Sequence, residues 1–463
     1  MVAWSQRPAG VPPSADRRLA PRRLSALAAG VLILLVQGYA LSFSYLWAAP
    51  ALALLLIAIA PQVPIVPALA LALTVRVLTS EAISSRQAQH ATSLNVSGVI
   101  LVFFILLAIG LLLRRRRGVV LSAVLATWLC LFTGVAVMRH GTSAEMFREG
   151  LREISILALA VIAWNSHGAI TLARAVRLVQ IAGVGAALLA IYQLATHTGL
   201  NIEGEIRANG TFTHPNGAAV YFAIAVTASL WSYLDNGRRR IDAALVVVFA
   251  AATIATFSIG GLASLLVMLG VYGLSRPGSV RVKLAACALG LVLVGAFAAT
   301  PLGAKRLENE SSTSIASAEV RGAANTSLAW RFYKWRTLLP LWRQAPLLGQ
   351  GLGTTVAAEG TAENETAGKV PHNEYVRYLV ETGLVGLASV LFGLAVLMRR
   401  LWRRRSGRVD NAACLALGVL AGCALNGLGD NTLLYSTTGY AAALILAAAL
   451  VARPATPSVP SGS

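Results

Sequence analysis

The sequence is short of charge, and above all of acidic charge. Only 13% of its 463 residues are charged, and 39 Lys and Arg stand against 19 Asp and Glu. A water-soluble domain needs a far more polar surface, whereas 56% of these residues are hydrophobic and the mean hydropathy is +0.68. The composition therefore excludes a soluble globular protein and predicts a chain that lies in a lipid bilayer.

Cysteine is scarce as well, and its placement argues against two kinds of site. The four cysteines all lie inside apolar runs and form no Cys-x-x-Cys pair: Cys130, Cys287, Cys414 and Cys423. Such spacing supports neither a disulfide framework nor a zinc site. We expect small side chains that face lipid or other helices.

The excess of positive charge, formally +20, is gathered in short clusters between apolar runs. In a soluble protein it would suggest nucleic acid, but here it marks cytoplasmic loops, so no nucleic-acid partner is expected. The basic residues 1–23 precede an apolar run that has no clean small-residue cleavage site, so we interpret that run as an uncleaved first helix.

Apolar runs that suit a bilayer span of about 20 residues, or somewhat fewer, occur at roughly 14 places. They lie near 24–41, 44–60, 63–79, 97–113, 118–137, 153–166, 177–196, 217–234, 241–257, 260–274, 284–300, 376–397, 411–427 and 433–452. The pair at 44–79 and the segment 153–166 are the weakest. The predicted fold is all-α and polytopic, with about 12–14 transmembrane helices and one large extracytoplasmic loop.

A cytoplasmic N-terminus places all the basic clusters between the spans inside, where Lys and Arg collect in short loops. These clusters are Arg114 to Arg117, Arg174 and Arg177, Arg238 to Arg240, Arg276, Arg281 and Lys283, and Arg399 to Arg408. The predicted parts are a cytoplasmic segment 1–23, a transmembrane bundle 24–300 with an outer loop 197–216, a large extracytoplasmic loop 301–375, C-terminal transmembrane helices 376–452 and a cytoplasmic tail 453–463.

The loop 301–375 is the only long hydrophilic stretch. Its Ser/Ala/Glu-rich piece at 306–327 predicts a flexible segment, and the aromatic, basic segment 329–342 predicts a helix at the membrane interface. The GQGLG at 349–353 lacks the Lys-Ser/Thr of a phosphate-binding P-loop. We interpret it as a turn that closes the loop over a site.

The loop that leads into the span at 217–234 concentrates polar side chains: Arg207, Asn209, Thr211, His214 and Asn216. One interpretation is a pair of turns, because Asn-Gly and Pro-Asn-Gly favour turns and Asn216 can cap the next helix. The other is a functional site, since such density just outside a membrane is unusual.

A second polar group, in PHNEYVRYLVETGLVGLA at 371–388, enters a span directly. His372 and Asn373 stand at the helix start, and the side chains of Arg377 and Glu381 can pair at i, i+4. An ionisable residue such as Glu381 inside a span is costly unless it is paired or faces a wet cavity. A lone His372 would be a solvated interfacial residue, but the neighbouring acids favour a site.

These pieces, in this order, resemble the O-antigen ligase-related family, which includes lipopolysaccharide O-antigen ligases, Wzy-type polysaccharide polymerases and bacterial protein O-oligosaccharyltransferases. The resemblance lies in RANGTF, HPNGAA, Trp330-Arg331, PLLGQGLGT and HNEYVRYLVETGLVG, and covers residues 204–390. It implies a GT-C-like membrane glycosyltransferase. It also implies that Arg207 and Arg331 contact the pyrophosphate of a polyprenyl-linked donor and that His372 acts on the acceptor hydroxyl.

One departure from the family pattern is visible. Where the family often shows Ser-Arg-Gly, this chain has Ser258-Ile259-Gly260, so that Arg is absent. Its role is either missing or taken by another residue, for which Arg336 and Arg321 are the candidates.

The chemistry agrees with the resemblance. A glycan pyrophosphate leaves as an anion, which planar and permanently charged Arg side chains stabilise, and His supplies a base near neutral pH. Asp430 is the only Asp that the topology places outside, so a paired-Asp metal site cannot be built there and no metal or cofactor is expected. We predict His372 as catalytic and the following as substrate-binding: Arg207, Arg331, Asn209, Asn216, Asn373, Glu381 and Arg336.

The predicted function is transfer of an oligo- or polysaccharide from an undecaprenyl-pyrophosphate donor to an acceptor hydroxyl, on the extracytoplasmic side of the bacterial inner membrane. The acceptor is a lipid, a glycan or a protein, in lipopolysaccharide or exopolysaccharide synthesis or in protein glycosylation. The alternative is a lipid-linked glycan flippase or another transporter. The polar residues gather at one face and no halves repeat, which favours an enzyme. A noncatalytic assembly partner is the third interpretation.

Overall fold

A computed structural model describes residues 64–80, 96–115, 118–142, 144–202, 205–235, 237, 239–276, 280–311, 327–357, 371–407 and 410–452. All of them belong to one of the two units into which the chain divides, 53–463. The predicted segment 1–23, the spans at 24–41 and 44–60, the tail 453–463 and Arg321 lie outside the described residues.

Helices account for most of the described residues, which confirms the predicted all-α polytopic membrane fold. They are α1 (Ile65–Leu78), α2 (Val96–Arg115), α3 (Val119–His140), α4 (Ala144–Asn165), α5 (Leu172–Thr196), α6 (Pro215–Asp235), α7 (Arg240–Ala255), α8 (Ile259–Ser275), α9 (Val280–Ala298), α10 (Pro301–Ser311), α11 (Ser327–Gln344), α12 (Thr354–Ala357), α13 (Glu374–Gly407), α14 (Asn411–Gly429) and α15 (Ser436–Val451). A helix lies at every predicted span from 63–79 onward.

Hydropathy separates the membrane-spanning candidates from the other helices. Within the described ranges, 7 helices are long and apolar enough to cross a bilayer: α2, α3, α5, α6, α9, α13 and α14. The helices α1, α8 and α15 are equally apolar in character but shorter. The chain is therefore a multi-pass membrane protein.

Three local features differ from the sequence-based expectation. Helix α4 begins at Ala144 rather than at 153, because its first turns contain polar residues that an apolar window passes over. The start of the piece 306–327, predicted to be flexible, is the end of helix α10. Two short strands, β1 (Leu200–Ile202) and β2 (Glu205–Arg207), form an antiparallel hairpin in the outer loop, too short to show in the hydropathy pattern.

Helix α6 is the centre of the bundle. Its residues 217–232 are all buried, and it packs against α5, α7, α8, α14 and α15. The close approach depends on small residues: a Cβ on Gly261 of α8 would lie 2.2 Å from the Cβ of Ala219 in α6. Small residues let membrane helices pack closely without a hydrophobic driving force. This packing fixes the position of the loops at the ends of α6 and α8.

Helix α13 is broken at Gly383, where φ is 64° and ψ is −166°. The break leaves backbone groups without partners in the helix, and the segment 345–353 supplies partners for them. Four hydrogen bonds join the two segments: Leu384 N to Pro346 O (2.9 Å), Val385 N to Leu347 O (3.1 Å), Gln350 N to Val380 O (2.9 Å) and Gly351 N to Glu381 O (2.7 Å). The predicted turn at GQGLG therefore braces a broken helix.

Gly383→Ala is expected to destabilise the protein. The backbone angles at Gly383 belong to a region used almost only by glycine, where strain costs about 1–3 kcal/mol, and an added Cβ would lie 2.3 Å from the carbonyl oxygen of Leu347. The measurement is the midpoint of thermal denaturation in detergent. Gly393→Ala in the same helix is the control, because nothing lies within 4 Å of its added Cβ. Equal midpoints for the two variants would contradict this role of Gly383.

The ends of α6, α8 and α13 and the start of α14 are joined by charged side chains. Asp235 accepts hydrogen bonds from Arg276 (2.7 Å) and Asn411 (3.0 Å). Arg404 pairs with Asp410 (2.6 Å) and donates to carbonyl groups at the end of α15. These arginines belong to two of the predicted cytoplasmic clusters, so α6, α8 and α13 each run from the opposite end of the bundle toward this basic end.

Candidate active site

His372 lies just before α13, and its side chain contacts Asp430, which follows α14. The Nδ1 atom of His372 is 2.7 Å from Oδ1 of Asp430. Because an ionised carboxylate only accepts hydrogen bonds, Nδ1 donates its hydrogen and the basic lone pair of the neutral imidazole is on Nε2. A histidine held by a carboxylate in this way is an arrangement that can serve general-base catalysis.

The backbone around His372 is held from both sides. Its φ of 47° lies in the left-handed region, which few residues other than glycine adopt. Nε1 of Trp335 in α11 donates to the carbonyl oxygen of Pro371 (2.8 Å), and Asn373 accepts hydrogen bonds from two N–H groups in the first turn of α13. Strained backbone that several contacts maintain is typical of functional positions.

Asp430 remains a carboxylate at neutral pH. Burial alone would raise its pKa, but the contact with His372 and the nearby His214 outweigh burial and lower the pKa well below its usual range. Its Oδ1 also accepts a hydrogen bond from the Tyr435 hydroxyl (3.3 Å). The negative charge of Asp430 therefore keeps the hydrogen of His372 on Nδ1.

A second histidine, His214, lies beside this pair. Its ring centroid is 5.9 Å from that of His372 and 6.3 Å from that of Tyr435, on which it stacks. The N–H of Asn216 donates to Nδ1 of His214 (3.2 Å), which places the hydrogen of the ring on Nε2. Burial lowers the pKa of His214 to about 3. His214 is therefore neutral at physiological pH and offers a single N–H donor.

Arg207 ends strand β2 and has a buried guanidinium group. Its Nε donates to the carbonyl oxygen of Thr256 (2.9 Å), and its Nη2 donates to Oδ1 of Asn216 (2.9 Å). That oxygen also accepts a hydrogen bond from the Ser258 hydroxyl (3.0 Å). Burial, reinforced by the nearby Arg306, lowers the pKa of Arg207 to about 9, so the group still carries its charge at neutral pH.

Arg331, in α11, belongs to the same region. Its charge acts on Arg207, His214 and Asp430. Its buried Nε atom has no hydrogen-bond partner within the described part of the chain. A buried donor without an acceptor is unfavourable, and two neighbouring cations repel each other. An anion bound between Arg207 and Arg331 would relieve both costs.

A comparison with protein families finds a match over part of the chain. Residues 243–391 match the family model described as O-antigen ligase. This part of the chain is similar to the O-antigen ligase family. A comparison with curated proteins finds no significant match. The matched residues include Arg331 and His372. Arg207 and Asp430 lie outside them, and only the geometry of the structure brings these two residues into the candidate site.

Two of the residues predicted to bind substrate, Asn209 and Asn373, use their side chains for hydrogen bonds within the protein. Asn209 is buried and donates to the carbonyl oxygen of Phe212 within the turn before α6. Asn373 caps α13, as described above. Asn216, in contrast, holds Arg207 directly, which is a positioning role within the site.

Glu381, also predicted to bind substrate, belongs to a buried cluster around Arg377. Nη1 of Arg377 is 3.5 Å from Oε2 of Glu381, which confirms the predicted i, i+4 pair. Arg377 is fully buried and pairs with three further carboxylates: Glu149, Glu153 and Glu374. Glu381 also accepts a hydrogen bond from the hydroxyl of Thr355 (2.5 Å). This cluster joins α4 to α13, so Glu381 has a structural role.

A third cation, Arg306, lies close to Arg207. Arg306 of α10 acts on the charge of Arg207 and pairs with Glu205 of β2 (2.9 Å). The candidate Arg336 is exposed on α11, and Arg321 lies outside the described residues. Arg306 was missed because its segment was expected to be flexible.

Proposed function

We propose that the protein transfers a glycan from a polyprenyl-pyrophosphate donor to an acceptor hydroxyl. The family domain gives the broader class, an O-antigen ligase/polymerase-type membrane glycosyltransferase. The finer proposal depends on one observation: the 2.7 Å contact between His372 and Asp430, at a place where Arg207 and Arg331 supply positive charge.

In the proposed reaction, Nε2 of His372 takes the proton of the acceptor hydroxyl. The acceptor oxygen forms a bond to the anomeric carbon of the donor as the bond from that carbon to the phosphate oxygen breaks. The polyprenyl pyrophosphate leaves with the electron pair, and Arg207 and Arg331 stabilise its charge. Asp430 stabilises the imidazolium that forms, and an in-line displacement inverts the anomeric centre.

A flippase for the lipid-linked glycan is the competing proposal, and one experiment separates the two. Purified protein in vesicles is given a fluorescent lipid-pyrophosphate glycan and an acceptor, and both transfer product and movement between leaflets are measured. We expect product to form, and to be lost in His372→Ala, with no protein-dependent movement between leaflets. Leaflet movement without transfer would support the flippase instead.

The proposed site faces the extracytoplasmic side of the inner membrane, where polyprenyl-linked glycans are used. Reporters fused after Arg117, Arg240 and Arg405 are expected to be active only in the cytoplasm, and one fused after Glu319 only outside, because basic loops stay in the cytoplasm. Paired reporters, one active on each side of the membrane, give the measurement. A cytoplasmic Glu319 would contradict the proposed placement of the site.

A further inference from the structure

Arg76 is a largely buried cation that pairs with no carboxylate among the described residues. It lies in the last turn of α1, and its Nη2 donates to Oγ of Ser436 at 2.9 Å. Its Nε and Nη1 atoms are buried and have no hydrogen-bond partner among the described residues. The side chains that act on its charge are Tyr440, which favours the charged form, and a second cation, Arg152, which opposes it. Two N–H-bearing nitrogens of Arg76 are therefore left without an acceptor.

The position of Arg76 is adjacent to the proposed active site. Its neighbour Val77 accepts a hydrogen bond from the hydroxyl of Thr211 (2.7 Å), in the turn that leads to His214. Ser436 follows Tyr435, the residue whose hydroxyl contacts Asp430. Arg76 thus lies at the same end of the bundle as the His372–Asp430 pair.

Two buried arginines of the described bundle, Arg276 and Arg377, are paired with carboxylates. Arg276 contacts Asp235 at 2.7 Å, and Arg377 is surrounded by carboxylates. Taking an unpaired charge out of water is costly, and in membrane proteins such residues mark substrate pathways. Arg276 also has one buried nitrogen without an acceptor, its Nε, but its guanidinium group contacts a carboxylate, whereas Arg76 has two such nitrogens and no carboxylate partner among the described residues.

We propose that Arg76 and Ser436 form an anion subsite that binds a phosphate or carboxylate group of the acceptor. The proposal rests on the proposed function, in which the donor diphosphate occupies Arg207 and Arg331. A further cation on the Ser436 side of Tyr435 is then left for the other substrate. A guanidinium group with unused N–H donors suits an oxyanion, because charge-assisted hydrogen bonds to it are short and strong.

The test is binding of three acceptor analogues to the purified full-length protein, measured by calorimetry without donor. The probes are a disaccharide with one phosphate, the same disaccharide with one carboxylate, and the neutral disaccharide. We expect wild type to bind at least one acidic probe about 10-fold to 100-fold more tightly than the neutral one, as for a hydrogen bond between charged groups. Which acidic probe is preferred identifies the group that the acceptor supplies.

Substitutions test whether Arg76 is the cause of the preference for acidic probes. Arg76→Gln is expected to abolish it, Arg76→Lys to retain part of it, and Ser436→Ala to weaken it. Arg174→Gln is the matched control, because Arg174 is exposed at the start of α5 and belongs to a predicted cytoplasmic cluster. If Arg76→Gln does not fold, Arg76→Lys and Ser436→Ala still decide the question.

Three results would overturn the proposal: no acidic preference in wild type, the same preference in the Arg76 and Ser436 variants, or a changed KM for the donor with acceptor binding unaltered. Because acceptor binding is measured without transfer, a protein that transfers no glycan could still show the acidic preference. That result would contradict the proposed function but not the subsite. Transfer by a protein without acidic preference would overturn the subsite alone.

Discussion

His372→Ala and Asp430→Asn are each expected to slow glycan transfer by about 10²–10⁴, the range for a lost general base or a lost orienting acid. His372→Ala removes the proton acceptor. Asp430→Asn keeps the size of the side chain but removes the charge that holds the hydrogen of the ring on Nδ1, so the lone pair of Nε2 is no longer assured. The initial rate of transfer in vitro is the measurement.

The effects of the two substitutions on the transfer rate are not expected to add. Because His372 and Asp430 act as one unit, the double variant is expected to be no slower than His372→Ala alone. His197→Ala is the matched control, since His197 is an exposed histidine of the outer loop that also has a positive φ, 52°. Near-normal transfer by His372→Ala would remove His372 from the mechanism.

Arg207→Lys is expected to be almost as damaging as Arg207→Ala, with a loss of about 10²–10³ in rate, as for a lost oxyanion donor. The planar group of Arg207 contacts Thr256 and Asn216 on one side, which leaves its remaining donors for the diphosphate. A lysine keeps the charge, but a single nitrogen cannot keep these contacts and also bind two oxygens.

The control for Arg207 is Arg343→Lys, at an exposed position of α11, which is expected to leave transfer unchanged. Rates are compared at saturating donor and at limiting donor, because a residue that binds the leaving group acts on both. A lysine variant that retains full activity would show that Arg207 supplies only charge or a structural contact.

The helices were predictable because a membrane span needs one long apolar run, a property of consecutive residues. His372 and Arg207 were predictable for a similar reason, since each lies where a polar segment meets a span. Helix α4 was placed too late because Glu149 and Glu153 are polar, yet both are buried against Arg377. Pairing across helices compensates for their charge, and an apolar window does not detect pairing.

Asp430 was outside the predicted site because its partner lies 58 residues away in the chain and on another helix end. One signal was present: Asp430 is the only Asp that the predicted topology places outside, and it stands at the junction of two spans. His214 gave a comparable signal, a histidine before Pro-Asn-Gly at a helix start. Such contacts depend on how α6, α13, α14 and α15 pack, which single-sequence patterns do not specify.

Transfer by the purified wild-type protein from a lipid-pyrophosphate donor, measured with and without EDTA, tests the central claim most directly. If Arg207 and Arg331 do for the diphosphate what Mg²⁺ does in other enzymes, transfer persists in EDTA and is lost in Arg207→Lys under the same conditions. Loss of wild-type transfer in EDTA that Mg²⁺ restores, or full activity of Arg207→Lys, would contradict it.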